Sequence, residues 1–369
     1  MHVNVNERLL DPLVSALIPA GAPSCTRLSI FEAHPQLIAT CAFEKTATGP
    51  IIAFEACIII GTIIVLWMVS RLQDKIWQRY LIVAVGVFLF EFFTSPMWNN
   101  YRLGPWAYVY QDVSWVLTIE WSTLILLTVV LVDHYLDRLR RWQRFILYLI
   151  VLTIVVLFAE ALVINLGIRS YAPEVQAVFL GPTIINVPIE VFYYVPFFMA
   201  LVISFYKYWG LVLDDELIVP AKKRHWLGSL AVVVAGILLF ELMIEPMVNN
   251  LNLPNWSYIY HDISFLMTGL WVVVVWLVTY LVDRWLIHLD LTKRFLIYLA
   301  VIGVIVLPIE SWFINNGFRV YGPSATANFT GFTTVITNVP VEVAFAIPLY
   351  LALVIAFVRY WEFGLGGQR

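Results

Sequence analysis

The sequence predicts an all-α fold: a polytopic membrane helical bundle of about nine transmembrane helices, arranged as a parallel tandem repeat of four-helix units built from helical hairpins. Three observations predict it. Of 369 residues, 61% are hydrophobic and 13% charged, with a mean hydropathy of +0.84; an average globular chain carries roughly 25% charge. Apolar runs of about 20 residues, long enough to cross a bilayer as a helix, recur along the chain. The second half matches the first at a fixed spacing, the signature of an internal repeat.

Taken in order, the runs fall near 51–70, 78–96, 112–132, 144–164, 187–207, 226–246, 262–282, 294–314 and 338–358. Helices are expected throughout, because lipid offers no water to satisfy an open strand edge. Four connections are basic: Arg71, Lys75 and Arg79; Arg138, Arg140, Arg141 and Arg144; Lys222, Lys223 and Arg224; Arg284, Lys293 and Arg294. The alternate connections hold only Arg102, Arg169 and Arg319. The positive-inside rule places the basic set in the cytoplasm. With an odd number of spans, the N-terminus is then extracytoplasmic and the C-terminus cytoplasmic. Residues 1–48 are expected to be an extracytoplasmic segment, 49–77 a first helix and loop, 78–210 repeat one and 226–361 repeat two. Cys25 and Cys41 could pair outside the cytoplasm.

A shift of 150 residues brings Phe90-Glu91 onto Phe240-Glu241, Asn99-Asn100 onto Asn249-Asn250, Trp106 onto Trp256, Tyr110 onto Tyr260 and Asp112 onto Asp262. It also brings Glu160, Arg169 and Tyr171 onto Glu310, Arg319 and Tyr321. A two-residue insertion changes the shift to 152, which matches Asn186-Val187-Pro188 and Glu190 with Asn338-Val339-Pro340 and Glu342. Four spans separate equivalent positions, so both halves keep one orientation in the membrane, unlike inverted repeats. Among the polar differences between the halves, Glu245 stands for Ser95, His261 for Gln111, and Leu270 for Glu120.

Carboxylates inside spans are costly, at roughly 2.5 to 3.5 kcal/mol for Asp at a helix centre. Glu91, Glu160, Glu190, Glu241, Glu310, Glu342, Asp112 and Asp262 are nevertheless expected in the outer half of the helices, with Asn99, Asn100, Asn249 and Asn250 just beyond. The expectation is one ring of acids around one outer-leaflet cavity. A carboxylic acid kept neutral by an apolar site is a proton donor, which makes these eight acids the candidate catalytic residues. The bland reading is that they tie hairpins together, Glu to Arg169 or Arg319. Trp106, Tyr110, Trp256 and Tyr260, with the four asparagines, are candidate substrate-binding residues; the alternative for the rings is an interfacial belt. Asp133 and Asp283, beside cytoplasmic arginines, read as interface charges. No histidine ligand set recurs in both halves, and neither a cofactor nor a metal is called for. A net charge of −3 gives no electrostatic case for nucleic acid. Expected partners are therefore membrane lipid or a hydrophobic substrate, with assembly as a homo-oligomer left open.

The run from Glu160 through Gly167-Ile168-Arg169-Ser170-Tyr171 and Leu180-Gly181-Pro182 to Asn186-Val187-Pro188-Ile189-Glu190 resembles membrane carotenoid-biosynthesis proteins, the carotenoid hydratases and small integral lycopene cyclases. Gly104-Pro105-Trp106-Ala107-Tyr108-Val109-Tyr110 is similar to their tyrosine-rich loop. The resemblance implies protonation of an isoprenoid double bond by a membrane acid, followed by cyclisation or hydration without a redox cofactor. It would make Glu190 and Glu342 the Pro-x-Glu acids, and Glu91, Glu160, Glu241 and Glu310 the helix-end acids. Val191 and Val343 stand where those cyclases tend to carry a second acid. Two rival readings use the same residues: a proton-coupled or lipid carrier, and a non-catalytic membrane scaffold subunit.

Overall fold

A computed structural model describes residues 48–100, 102–110, 112–179, 181–215, 226–327 and 329–365. The N-terminal segment with Cys25 and Cys41, and the connection holding Lys222, Lys223 and Arg224, lie outside the described residues. So do Gln111 and the C-terminal Arg369.

Among the described residues, nine helices are long and apolar enough to cross a membrane, and the chain is an all-α polytopic membrane bundle. The long helices are α1 (Gly49–Val69), α2 (Ile76–Thr94), α3 (Trp115–Tyr135), α4 (Arg141–Asn165) and α6 (Val191–Leu213), then α7 (Trp226–Ile244), α8 (Phe265–Trp285), α9 (Leu291–Asn315) and α11 (Val341–Leu365). Short α5 (Pro173–Val178) and α10 (Pro323–Ala327) lie in the connections.

The core sits where α6 and α11 pack on each other, flanked by α2 and α7. Met199, Leu201, Val202 and Ile203 on α6, and Leu353, Val354, Ile355 and Ala356 on α11, are fully buried. Close approach there needs glycine. A Cβ on Gly86 of α2 would come within 3.0 Å of Phe205 Cδ1, and one on Gly236 of α7 within 3.1 Å of Phe357 Cδ1. Either would have to push a packed ring aside. By contrast, α1, α4 and α9 are mostly unburied within the protein, with Ile60, Trp67, Phe158, Val304 and Trp312 exposed. Apolar faces of that extent belong against lipid.

The spans are helical as expected, and the connections between them add short strand pairs. Strand β1 (Trp98–Asn100) pairs antiparallel with β4 (Arg169–Tyr171), and β7 (Val248–Asn250) with β10 (Arg319–Tyr321). Ribbons also join β2 (Tyr108–Tyr110) to β3 (Val113–Ser114), β5 (Thr183–Ile184) to β6 (Val187–Pro188), and β8 (Tyr258–Tyr260) to β9 (Ile263–Ser264). Irregular backbone at the ends of a membrane bundle must find partners inside the protein, and these pairs supply them. The ribbons take Asp112 and Asp262 out of the helices, so α3 and α8 begin three residues later than predicted. Ser114 and Ser264 then cap those helices, their Oγ atoms accepting from Leu117 N (3.5 Å) and Leu266 N (3.3 Å).

Candidate acid clusters and chambers

In the first half, α4 ends at Gly167, whose φ of +67° lets the chain reverse into β4. That turn aims Arg169 back into the bundle, where it is buried. Its Nη1 lies 3.0 Å from Glu160 Oε2, and its Nε donates to Asn100 Oδ1 at 3.0 Å. Tyr171 donates to the other Glu160 oxygen at 2.8 Å. Asn100 Nδ2 in turn donates to the Asp112 carbonyl, and Asp112 Oδ1 accepts from Asn100 N at 3.3 Å. Burial disfavours the Arg169 charge, but the nearby Glu160 and Glu91 carboxylates outweigh it and hold the guanidinium above its ordinary pKa. Tyr171 stays protonated well above the usual tyrosine range, because of burial and then the Glu160 charge.

Two further acids face this cluster. Glu91 meets the Thr118 hydroxyl, and Glu120 shares a small crevice with Glu160 and Arg169. Thr118 also donates to Ser114 O at 2.9 Å. A hydroxyl carries one proton, so both contacts are made together only when Glu91 supplies a proton of its own.

The second half repeats the plan with looser contacts. Gly317, at φ +70°, ends α9 and turns Arg319 inward. Its Nε lies 3.4 Å from Glu310 Oε1, Tyr321 donates to Glu310 at 2.5 Å, and Thr268 donates to Glu241. Asn250 Nδ2 donates to the Asp262 carbonyl at 2.7 Å, yet Asn250 Oδ1 and Arg319 Nε are buried with no hydrogen-bond partner. The bond that joins Asn100 to Arg169 is therefore not made here. Tyr321 is held protonated by burial and by Glu310, as Tyr171 is by Glu160.

The predicted single ring of acids is thus replaced by two separate clusters, one per half. Glu91 and Glu160 belong to the first, Glu241 and Glu310 to the second. Glu160 and Glu310 are ion-pair partners of buried arginines, as the bland reading had it. Glu190 and Glu342 lie elsewhere, tying loops to the starts of α6 and α11. Glu190 Oε1 accepts from Gly181 N at 3.0 Å and Glu342 Oε1 from Thr330 N at 2.7 Å. Glu55 of α1 does the same for Gly104 N at 2.6 Å. Trp106 and Trp256 are exposed and pack at a tilt against Trp115 and Phe265. Asn99 and Asn249 occupy strand positions opposite Ser170 and Val320.

At the opposite end, Asp133 and Asp283 are more than interface charges. Asp133 gathers Arg144, Tyr148 and Lys207; Asp283 gathers Arg294, Tyr298 and Arg359. Each clasp locks a hairpin to α6 or α11. Lys207 and Arg359 escaped prediction although the spacing of 152 that matches Glu190 with Glu342 also brings Lys207-Tyr208-Trp209 onto Arg359-Tyr360-Trp361. The roles of Thr118 and Thr268 were equally hidden, although each lies four residues after a capping serine, one turn onto the same face.

Each half also has a chamber. The first, about 70 Å³, is lined by Phe90, Trp98, Tyr171, Phe179, Tyr194 and Phe198, and touches Glu91, Glu160 and Arg169. The second, about 470 Å³, is lined among others by Phe92, Phe93, Tyr110, Phe240, Tyr321 and Tyr350, and carries one carboxyl, Glu342. Glu342 Oε2 is buried without a hydrogen-bond partner. Tyr110, which stacks on Phe92, is held protonated by burial and then by the Glu342 charge. Exposed Phe332 and Phe345 stand at the chamber's edge. Tyr260, the counterpart of Tyr110, instead approaches Tyr193 and Tyr194. Among the described residues, no three His, Cys, Asp or Glu side chains are grouped to hold a metal ion.

No protein-family model, curated protein or solved structure matches this chain.

Proposed function

We propose that this protein is an integral membrane enzyme that takes one end of a hydrophobic isoprenoid, of the carotenoid kind, into the larger chamber and protonates a carbon–carbon double bond there. One observation carries the reading: a chamber of about 470 Å³, walled by aromatic rings, whose lining includes Glu342, a carboxyl with an Oε2 that makes no hydrogen bond. That volume lies within the roughly 300 to 1,000 Å³ of small-molecule sites. The resemblance of the Val-Pro-x-Glu helix start to carotenoid hydratases and cyclases supports the same acid.

In this reaction the Glu342 proton adds to one alkene carbon. The neighbouring carbon becomes a carbocation, and the faces of Phe92, Phe93, Phe240 and Tyr350 stabilise it. Attack by a second double bond and loss of a proton gives a ring; attack by water and loss of a proton gives an alcohol. Either course returns a proton to the carboxylate, and no electrons are exchanged. We propose further that the two halves are copies of one unit, and that the chambers face the outer leaflet with the N-terminus outside. The basic connections at the other end support this orientation.

Expression in a carotenoid-accumulating host tests the reading. Pigments should gain water or isomerise to rings, and Glu342→Gln should abolish the change while keeping the Oε1 acceptor for Thr330 N. Unchanged pigments with the unaltered chain would overturn it. A second reading has its own support. Glu91, Glu120 and Glu160 crowd around a single arginine in the first half, an arrangement suited to a proton relay in a carrier. pH-dependent solute flux in vesicles, lost in Glu91→Gln, would favour that reading instead.

A further inference from the structure

The two chambers are related position by position. Phe90, Met97, Tyr171 and Phe179 of the first correspond to Phe240, Met247, Tyr321 and Phe329 of the second. Even the wall contributed by the opposite half is exchanged, Met243 lining the first and Phe93 the second. What differs is bulk. Trp98 stands where the second half has Val248, and Tyr194 where it has Ala346.

Both large side chains are fixed in place. Arg169 lies 5.3 Å over the Trp98 ring, and β1 pairs Trp98 with Tyr171. Tyr194 is 8% exposed, packs on Tyr193 at 4.5 Å between ring centroids, and lies within electrostatic reach of Glu245 and Tyr260. Glu245 and Tyr260 replace the Ser95 and Tyr110 that line the open chamber. The first chamber is therefore filled by its own walls. Around the arginines the same division holds: Asn100 Oδ1 is bonded to Arg169, whereas Asn250 Oδ1 makes no hydrogen bond. Glu342, on the lining of the open chamber, has an Oε2 that makes none either. A buried acceptor without a donor is costly, and a ligand hydroxyl at Glu342 would satisfy it.

We infer that the chain binds one ligand, in the second-half chamber alone: an isoprenoid chain or ring bearing a hydroxyl that reaches Glu342. Val248 and Ala346 are the residues that make the room. This rests on the chamber reading above and adds which half is used, why, and what the ligand end carries.

The test uses the full chain in detergent, all-trans-retinol as a probe that is both isoprenoid and a hydroxyl donor, and native mass spectrometry to count bound molecules. One retinol per chain is expected. Val248→Trp with Ala346→Tyr imports residues that already fit the equivalent places, and should weaken binding at least thirtyfold. Trp98→Val with Tyr194→Ala should raise the count to two. Glu342→Gln keeps Thr330 N on its amide oxygen and turns the Nε2 donor toward the ligand hydroxyl oxygen, so it should weaken retinol binding less than Glu342→Leu, which should weaken it about tenfold. The inference is overturned if the filled variant, eluting as a single species with unchanged helical circular dichroism, binds like the parent. It is equally overturned if binding survives filling but is lost on Trp98→Val with Tyr194→Ala. Absence of retinol on the parent chain would instead strike at the chamber reading itself.

Discussion

The first half encloses three acids around one arginine and fills its chamber with Trp98 and Tyr194; the second sets two acids around one arginine and leaves its chamber open. The backbone plan is common to both, down to the strand register that opposes Asn100 to Arg169 and Asn250 to Arg319. A shared scaffold thus carries two different uses of buried polarity. Around Arg169 the polar groups are spent on one another, which favours rigidity. Around Arg319, Asn250 Oδ1 makes no hydrogen bond and Arg319 Nε reaches Glu310 only as a 3.4 Å ion pair.

The largest effects that would break this comparison lie at the arginines. Removing one partner of a buried pair costs about 3 to 5 kcal/mol, since the other charge is stranded. Arg169→Met should reach or exceed the top of that range, because it strands Glu160 and Asn100 together and leaves Glu120 without a nearby cation. Arg319→Met should fall at the lower end, where Nε already lacks a bond. Thermal unfolding of the detergent-solubilised variants measures both. An equal loss at the two sites would show that the contact differences carry no energetic weight.

Exchanging the third acid sharpens the comparison at a smaller scale. Glu120→Leu installs the residue found at position 270 and should stabilise the first half by on the order of 1 kcal/mol, by relieving one carboxyl of burial among like charges. Leu270→Glu, the reverse exchange, should destabilise by roughly 2 to 3 kcal/mol on the insertion scale. If Glu120 belongs to a relay, Glu120→Leu will also slow proton movement while raising stability, a combination that a purely structural role would not give.

These contrasts also define what could be read from the residues alone. The spans were legible because a helix must be apolar for its whole crossing, and run length reports that directly. Their starts were not, because Val113-Ser114 and Val187-Pro188 look like helix entrances until a strand partner claims them. The pairing of Glu160 with Arg169 was visible as an alternative to catalysis. The division into two clusters was not, since a spacing of 150 gives equivalence in sequence without proximity in space. Trp98 against Val248 and Tyr194 against Ala346 were present in the alignment of the halves, yet a change of size acquires meaning only once a chamber lies beside it.

The smallest expected difference concerns Asp112 and Asp262, which share a carbonyl contact but not a side-chain one. Asp112 Oδ1 accepts from Asn100 N, so Asp112→Ala should cost about 1 kcal/mol. At Asp262 the bond to Asn250 uses the main-chain carbonyl and survives truncation. Burial raises the Asp262 pKa, with His261 opposing. The protonated acid is therefore favoured on folding, and its contribution to stability is present below the unfolded pKa and lost as pH rises through the folded one. Near neutral pH the ionised side chain is a net cost, and Asp262→Ala should leave stability unchanged or slightly higher there, the gain vanishing in acid. Melting curves of the two alanine variants at neutral pH and near pH ~4 separate the cases: a loss at Asp262 equal to that at Asp112 would mean that its side chain holds the loop after all, and that the second half is as tightly tied at this end as the first.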